Sequence, residues 1–326
     1  MASPVISVII PVYGVEKYIE RCARSLFGQT MTESIEFIFV NDCTPDHSIE
    51  ILNDVLAEYP GRQSQTHIIH HPENRGLPTA RRTGIDASCG QYIVHCDSDD
   101  WMDQNALQIL SEKVVGENLD MVIYNNYVVH ENKVYSTSPA DKIMTLRTVL
   151  ADVLSHKMKY TVWCKMAKRE VYQRTDFIYP IANQGEDFVF SVQLCHYCKR
   201  IGYIPQPLYF YAHNPFSLVN GKTEEWCLSR KDGFGKNIDV VIDFLKNRNL
   251  YDEYETYLLT PKLECRNHLL PYIEKYYDLW RSTYPELDTW ETFWKFPLKL
   301  KIKYLLIRLH FYKVYFGLQK ILHKLR

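Results

Sequence analysis

This sequence predicts an α/β architecture, a mostly parallel sheet flanked by helices with a helical C-terminal extension, on three observations. Short β-branched runs alternate with helical periodicity through the first hundred residues. The first run is continuously apolar, as suits a strand buried on both faces. Polar residues gather directly after successive runs, where parallel sheets bind ligands.

Val5–Ile10 is that first strand, ending at Pro11. Val15–Phe27 places Val15, Tyr18, Ile19, Cys22, Ala23 and Leu26 on one helix face. A strand over Ile35–Val40 leads into the loop Asn41-Asp42-Cys43-Thr44-Pro45, and the helix Ser48–Tyr59 aligns Ile49, Leu52, Val55 and Leu56. Thr66–His70 and Tyr92–Cys96 are further strands around a helix over Thr79–Ala87, and Asp97-Ser98-Asp99-Asp100 follows. A helix Asp103–Gly116, a strand Met121–Val129, a polar surface loop Glu131–Asp141 and a helix Leu146–Leu154 come next. The helices expected beyond are Asp239–Lys246, Tyr251–Leu259 and Leu263–Tyr277, the last broken near Pro271.

At 326 residues, 46% hydrophobic and 24% charged, the chain is long enough for about two compact domains and is neither disordered nor collagen-like. Its net charge of −1 is a sum of unlike parts. Residues 1–291 hold 29 basic and 39 acidic residues, a net −10, whereas the last 35 residues hold nine Lys/Arg and no acid. Met1-Ala2-Ser3-Pro4 lacks the basic start of a secretory leader, and no stretch is long and apolar enough to span a bilayer. Nine scattered cysteines then read as reduced cytosolic thiols, and Cys195–Cys198 is a single close pair where structural zinc needs two.

The polar clusters at the strand ends are Tyr13, Asp42, Asn74 with Arg75, and Asp97 with Asp99 and Asp100. No glycine-rich dinucleotide or P-loop signature is present. Counter-charge for a bound phosphate would have to come from elsewhere, such as Mg²⁺ or Mn²⁺ held by the carboxylates after the fourth strand. A helix N-cap accounts for one of those three acids but not for all.

The segments Val8–Tyr13, Glu36–Asp42, Asn74–Arg81, Gly90–Ile93 and Asp97–Asp100, in this order and spacing, resemble the family 2 glycosyltransferases. The resemblance covers about residues 4–220 and implies the GT-A fold, a Rossmann-like sheet. It also implies a nucleotide-diphosphate-sugar donor, usually a UDP-sugar, and an inverting mechanism. Carried over by position, Pro11 and Tyr13 line the base pocket, Asp42 accepts from the uracil imide, and Arg81 sits near the diphosphate or orders its loop. Asp97 approaches ribose and metal, Asp99 ligates Mn²⁺ or Mg²⁺, and Asp100 lies behind them or near the donor sugar. Asn183–Phe190 resembles the family's Gly-Glu-Asp element, which makes Asp187 the base and Glu186 a positioning group. Arg82 stands where the family usually has Asn, and Cys43 where it commonly has Gly.

Trp163 carries two readings, a platform for a sugar face or a core residue, and Lys165 two more, a phosphate contact or a solvated lysine. His213 reads either as a diphosphate or metal contact or as a structural histidine. On this resemblance, residues 1–105 form the donor half, 106–225 the acceptor half, and 226–326 a helical region ending in a basic amphipathic tail, 298–326. Lys299, Lys303, Lys313, Lys320 and Lys324 fall on one side of that tail if it is helical, and Gly317 interrupts it. An interfacial helix on an anionic membrane, with Tyr and Phe at headgroup depth, fits better than packing on the acidic body or a protein partner. Nucleic acid fits the charge but not the apolar content. The expected protein is a cytoplasmic enzyme, peripheral on the inner face of the cell membrane, with a glycan or lipid-linked acceptor. Its rivals are a sugar-nucleotide nucleotidyltransferase, whose glycine-rich N-terminal loop is missing, and a non-catalytic nucleotide-sugar-binding protein.

Overall fold

The computed structural model describes residues 5–130, 133–137, 146–212, 214, 223–296, 298–312 and 314. Its centre is a nine-stranded sheet in the order β3-β2-β1-β4-β8-β6-β9-β5, with β7 paired to β6. Strands β1 (Ile6–Val12), β2 (Ile35–Asn41), β3 (Thr66–His70) and β4 (Tyr92–His95) run parallel. Helices α1 (Ile19–Phe27), α2 (Ser48–Ala57) and α3 (Leu77–Ala87) cross between them. The period of two in β1 divides its side chains between the sheet faces: Ile6, Val8, Ile10 and Val12 join the core of α1 and α2, whereas Ile9 joins the opposite one. Ile19, Cys22, Ala23 and Leu26 of α1 are fully buried, as their spacing requires.

Beyond β4 the sheet becomes mixed. A two-residue β5 (Trp101–Met102) precedes α4 (Ala106–Gly116), β6 (Met121–His130) and β7 (Lys133–Thr137). β7 lies inside the stretch expected to be a loop, where Lys133–Thr137 pairs antiparallel with Asn126–His130. After α5 (Leu146–Leu154), β8 (Lys165–Lys168) inserts antiparallel between β4 and β6. The one-turn α6 (Arg169–Tyr172) and α7 (Glu186–Tyr197) then lead to β9 (Ile201–Ala212), parallel to β6. β9 contains Pro205 and Pro207, and the β6–β9 register shifts at Asn125, where the ladder absorbs their missing donors.

α8 (Glu224–Lys246) is far longer than the predicted Asp239–Lys246 and runs through Gly233, where a Cβ would stand 2.2 Å from Gln184 Oε1. That contact presses α8 onto the segment before α7. α9 (Tyr251–Tyr254) packs against the second core, whereas α10 (Leu259–Asn267), α11 (Ile273–Ser282), α12 (Trp290–Lys295) and α13 (Leu298–Arg308) build a third around Trp280, Leu269 and Leu287. Tyr304 and Ile307 of α13 are buried in it, at 2% and 1% exposure, so Tyr304 is not among the side chains α13 turns to solvent. Lys313, Gly317, Lys320, Lys324 and the Lys299 side chain lie outside the described residues. Among the described residues no helix is long and apolar enough to cross a membrane.

Candidate active site

The polar residues after β1, β2, β3 and β4 converge at one edge of the sheet because parallel strands end on the same side. Tyr13, after β1, is 51% exposed and presents an open ring, whereas Pro11 is buried within the strand. Asp42, after β2, is buried. Its Oδ1 accepts from His71 Nδ1 at 2.7 Å and the Arg75 N–H at 2.9 Å, and its Oδ2 accepts from the Gly76 N–H at 2.8 Å. One acceptor position on Oδ2 remains after these three bonds. His71 Nε2 pairs with Thr83 Oγ1 at 2.9 Å, which fixes the ring. Asp42 therefore organises the loop before α3. Cys43 adopts a left-handed φ of 57°, a conformation that explains the family's glycine at this turn.

The Asp97–Asp100 loop is held from behind by β9. The Tyr209 hydroxyl accepts from the Asp97 N–H at 3.0 Å and donates to Asp100 Oδ2 at 2.8 Å, while Asp100 Oδ1 takes the Ala212 N–H at 2.7 Å. With both oxygens used and 1% exposure, Asp100 is a brace of the loop. Trp163 stacks on Tyr209 at 4.5 Å and is 5% exposed, a core residue under this brace. Asp99 accepts from Asn214 Nδ2 at 2.9 Å. Burial, with the neighbouring Asp97 charge, raises the Asp99 carboxyl above its ordinary range, and burial with Asp99 and Asp97 does the same to Asp100. Asp97 and Asp99 offer hard oxygen donors beside the Arg81 and Arg21 guanidiniums, a donor set that fits Mg²⁺ or Mn²⁺. Among the described residues no third carboxylate, imidazole or thiol joins them in a metal cluster, so diphosphate and water would complete the shell.

Facing this loop is the start of α7. Gly185 caps it at a φ of 78°, in van der Waals conflict with any side chain because Phe234 of α8 lies 2.3 Å from a Cβ there. Asn237 of α8, fully buried, donates to the Ala182 and Gln184 carbonyls at 2.8 Å each and accepts from the Ile181 N–H at 3.1 Å. Asn183 Oδ1 accepts the Leu77 N–H at 3.1 Å and so joins this segment to α3. Neither Asn237 nor His71 carries a local sequence signal. Their partners lie more than fifty and nearly thirty positions away in the chain.

Arg81, 1% exposed, connects the two halves of the site. Its Nη2 lies 2.8 Å from Asp97 Oδ1 and 3.7 Å from both Glu186 Oε1 and Asp187 Oδ1. Nε and Nη1 are buried with no hydrogen-bond partner among the described residues. The guanidinium thus sits beneath the carboxylates as their counter-charge. Burial and the Asp187 charge raise Glu186 well above the carboxylate range. Asp187 is pushed up to about 6, by burial against the opposing pull of Arg81. The Asp187 side chain is the more exposed of the two, and its Oδ1 is buried with no hydrogen-bond partner among the described residues.

Lys165 is fully buried and donates to the Lys159 and Thr161 carbonyls at 3.0 and 2.7 Å, so it secures the turn before β8. Arg82 is exposed, 3.6 Å from Asp86 and over the Tyr179 ring. His213 lies outside the described residues.

The chain is similar to known proteins. The family described as Glycosyl transferase family 2 matches residues 7–175. The glycosyltransferase EpsJ of Bacillus subtilis is 33% identical over 224 residues, 66% of this chain and 63% of its own length. GlyA of Streptococcus pneumoniae is 29% identical over 72% of this chain and 34% of its own. Among solved structures, S. aureus TarS 1–349 with UDP-GlcNAc superimposes with a TM-score of 0.57 at 16% identity, covering 81% of each chain. The Pyrobaculum calidifontis mannosyltransferase PcManGT, in complex with GDP-Man and Mn²⁺, gives 0.52 at 14% identity over 82% of this chain and 76% of its own. The sheet is that of the GT-A glycosyltransferases, and the chain belongs to glycosyl transferase family 2.

Proposed function

We propose that this enzyme is an inverting, metal-dependent transferase that moves a sugar from a nucleotide-diphosphate donor, UDP-linked, to a hydroxyl of a glycan or lipid-linked oligosaccharide in bacterial cell-surface polysaccharide synthesis. The observation that carries the reading is the junction at Arg81, where the donor-side Asp97 and the acceptor-side Glu186 and Asp187 share one buried cation. The UDP-GlcNAc of TarS and the GDP-Man and Mn²⁺ of PcManGT support a nucleotide-sugar donor and a divalent ion.

In this reading the exposed Tyr13 ring stacks on the base, and the free position on Asp42 Oδ2 accepts an imide N–H. The Asp187 carboxylate takes the proton from the acceptor hydroxyl as that oxygen attacks the anomeric carbon from the face opposite the nucleotide. The bond from that carbon to the diphosphate oxygen breaks, its electrons leave with the nucleotide, and the anomeric configuration inverts. Glu186, whose carboxyl burial and the Asp187 charge hold well above its ordinary range, orients the acceptor or its loop. A divalent ion on Asp97 and Asp99 would offset the charge of the departing diphosphate. The basic C-terminal run would bring the enzyme to the inner face of the membrane that carries a lipid-linked acceptor.

A screen of UDP-, GDP- and dTDP-sugars with Mn²⁺ or Mg²⁺, read by nucleotide release, tests the donor. Release from UDP-sugars, lost on chelation, is expected; preference for another base overturns the UDP assignment, and metal-independent release overturns the cation.

A further inference from the structure

Eight of the fourteen large apolar side chains exposed among the described residues lie within 290–314, so they form a patch where the others are scattered. The patch has a fixed geometry. One side of α13 is clamped to the C-terminal core: the Arg266 guanidinium donates to the Tyr304 hydroxyl at 3.0 Å, lies 3.0 Å from Asp288 and stacks on Trp280. The opposite side must then face out, and it carries Leu298, Ile302 and Leu305, with Leu309 just past the helix end in line with them, all 42–73% exposed. Trp290 and Trp294, one turn apart on α12 and 71% and 66% exposed, extend the same surface. Lys301 Nζ lies 4.7 Å from the centre of the Trp294 ring and joins the two helices.

The charge around the patch selects its occupant. Residues 290–314 contain six Lys/Arg and a single acid, Glu291, which is ion-paired with Lys295 at 2.7 Å. Pairing of this face with itself across a two-fold axis would set basic against basic. Among the described residues the acidic body of a second copy offers no matching apolar surface, because its exposed apolar groups there are Tyr13, Val115, Val134 with Tyr135, Ile181 and Tyr257, dispersed through the chain. An anionic bilayer supplies both an acyl edge and negative headgroups.

We propose that α12 and α13 together form an interfacial docking face for an anionic membrane, with Trp290 and Trp294 at headgroup depth and the α13 stripe against the acyl boundary. This rests on the reading that the C-terminal region meets a membrane and replaces its lysine-lined helix with a two-helix aromatic and aliphatic face. Lysine stems rise from the rim to the phosphates.

The test is co-sedimentation of the full chain with vesicles of phosphatidylcholine alone or in an equal mixture with phosphatidylglycerol. Native protein, Trp290→Ser/Trp294→Ser and Leu298→Glu/Ile302→Glu are compared, with light scattering for mass and nucleotide release as a separate readout. Native protein is expected to pellet with the anionic vesicles and to release with salt. Both double variants should lose partitioning by at least about ten-fold while keeping their mass and their nucleotide release. Variants that pellet like the native chain overturn the docking face while leaving membrane binding through the tail standing. Native protein that ignores anionic vesicles overturns both. A native dimer that the variants dissolve assigns the face to a second copy instead. Loss of nucleotide release alone bears on the catalytic reading and not on this one.

Discussion

Arg81→Met removes the charge that three carboxylates share while keeping most of the buried volume. Deleting one partner of a buried ion pair costs about 3–5 kcal/mol. The native guanidinium also buries Nε and Nη1 without partners, and their removal returns about 1 kcal/mol of that. The variant is therefore expected to be about 2–4 kcal/mol less stable near pH 8 in urea unfolding followed by circular dichroism. The pH dependence identifies the cause. Glu186 and Asp187 already have raised pKa values in the folded chain, Asp187 at about 6, and without Arg81 they rise further. Between the unfolded value of about 4 and the folded value, the folded state binds more protons than the unfolded one, so stability falls as pH increases. The deficit of Arg81→Met against the native chain should thus be largest above pH 6 or so and shrink toward about pH 5. A variant within about 0.5 kcal/mol of the native chain near pH 8, or a deficit that does not change with pH, would refute the counter-charge role.

Further outcomes follow from single contacts. With Asp187 as base at about 6, the transfer rate should fall tenfold per pH unit below that value and level off above it, and a rate–pH profile checks this. Gly185→Ala forces a side chain into Phe234 at a positive φ; a loss of about 2–4 kcal/mol and a fall in turnover larger than the loss of UDP affinity are expected by unfolding and calorimetry. Cys43→Gly relieves a left-handed cysteine and should leave stability unchanged or raise it by up to about 1 kcal/mol, whereas Cys43→Val should lower it, both read as melting temperatures.

The parallel half of the sheet was legible because each of its strands is an apolar or β-branched run followed by a helix with a clear face. Leu146–Leu154 and Thr66–His70 match the sequence reading residue for residue. β8 escaped it because Lys165-Met166-Ala167-Lys168 has the composition of a surface turn, and only the carbonyls around the Lys165 ammonium make its burial tolerable. β9 escaped it because Pro205 and Pro207 argue against an interior strand, and the extra residues that accommodate them in β9 show only in its pairing with β6, eighty residues earlier, where Tyr124 faces Ile204 and Asn125 faces Pro207. In the site, the residue types were legible but not their partners. Arg81 reads as a diphosphate contact until it is seen beneath Asp97, Glu186 and Asp187. Asn237 is one polar residue in a long helix, and its three bonds to the segment 181–184 depend on how α8 packs.

Asp187→Asn tests the central claim most directly, since it keeps the shape of the side chain and removes its capacity to take a proton. Sugar transfer and UDP binding should be measured on the same preparation, by product formation and by calorimetry. The account predicts UDP affinity within about two-fold of the native chain and transfer reduced by at least about a thousand-fold. Transfer at the native rate would contradict it.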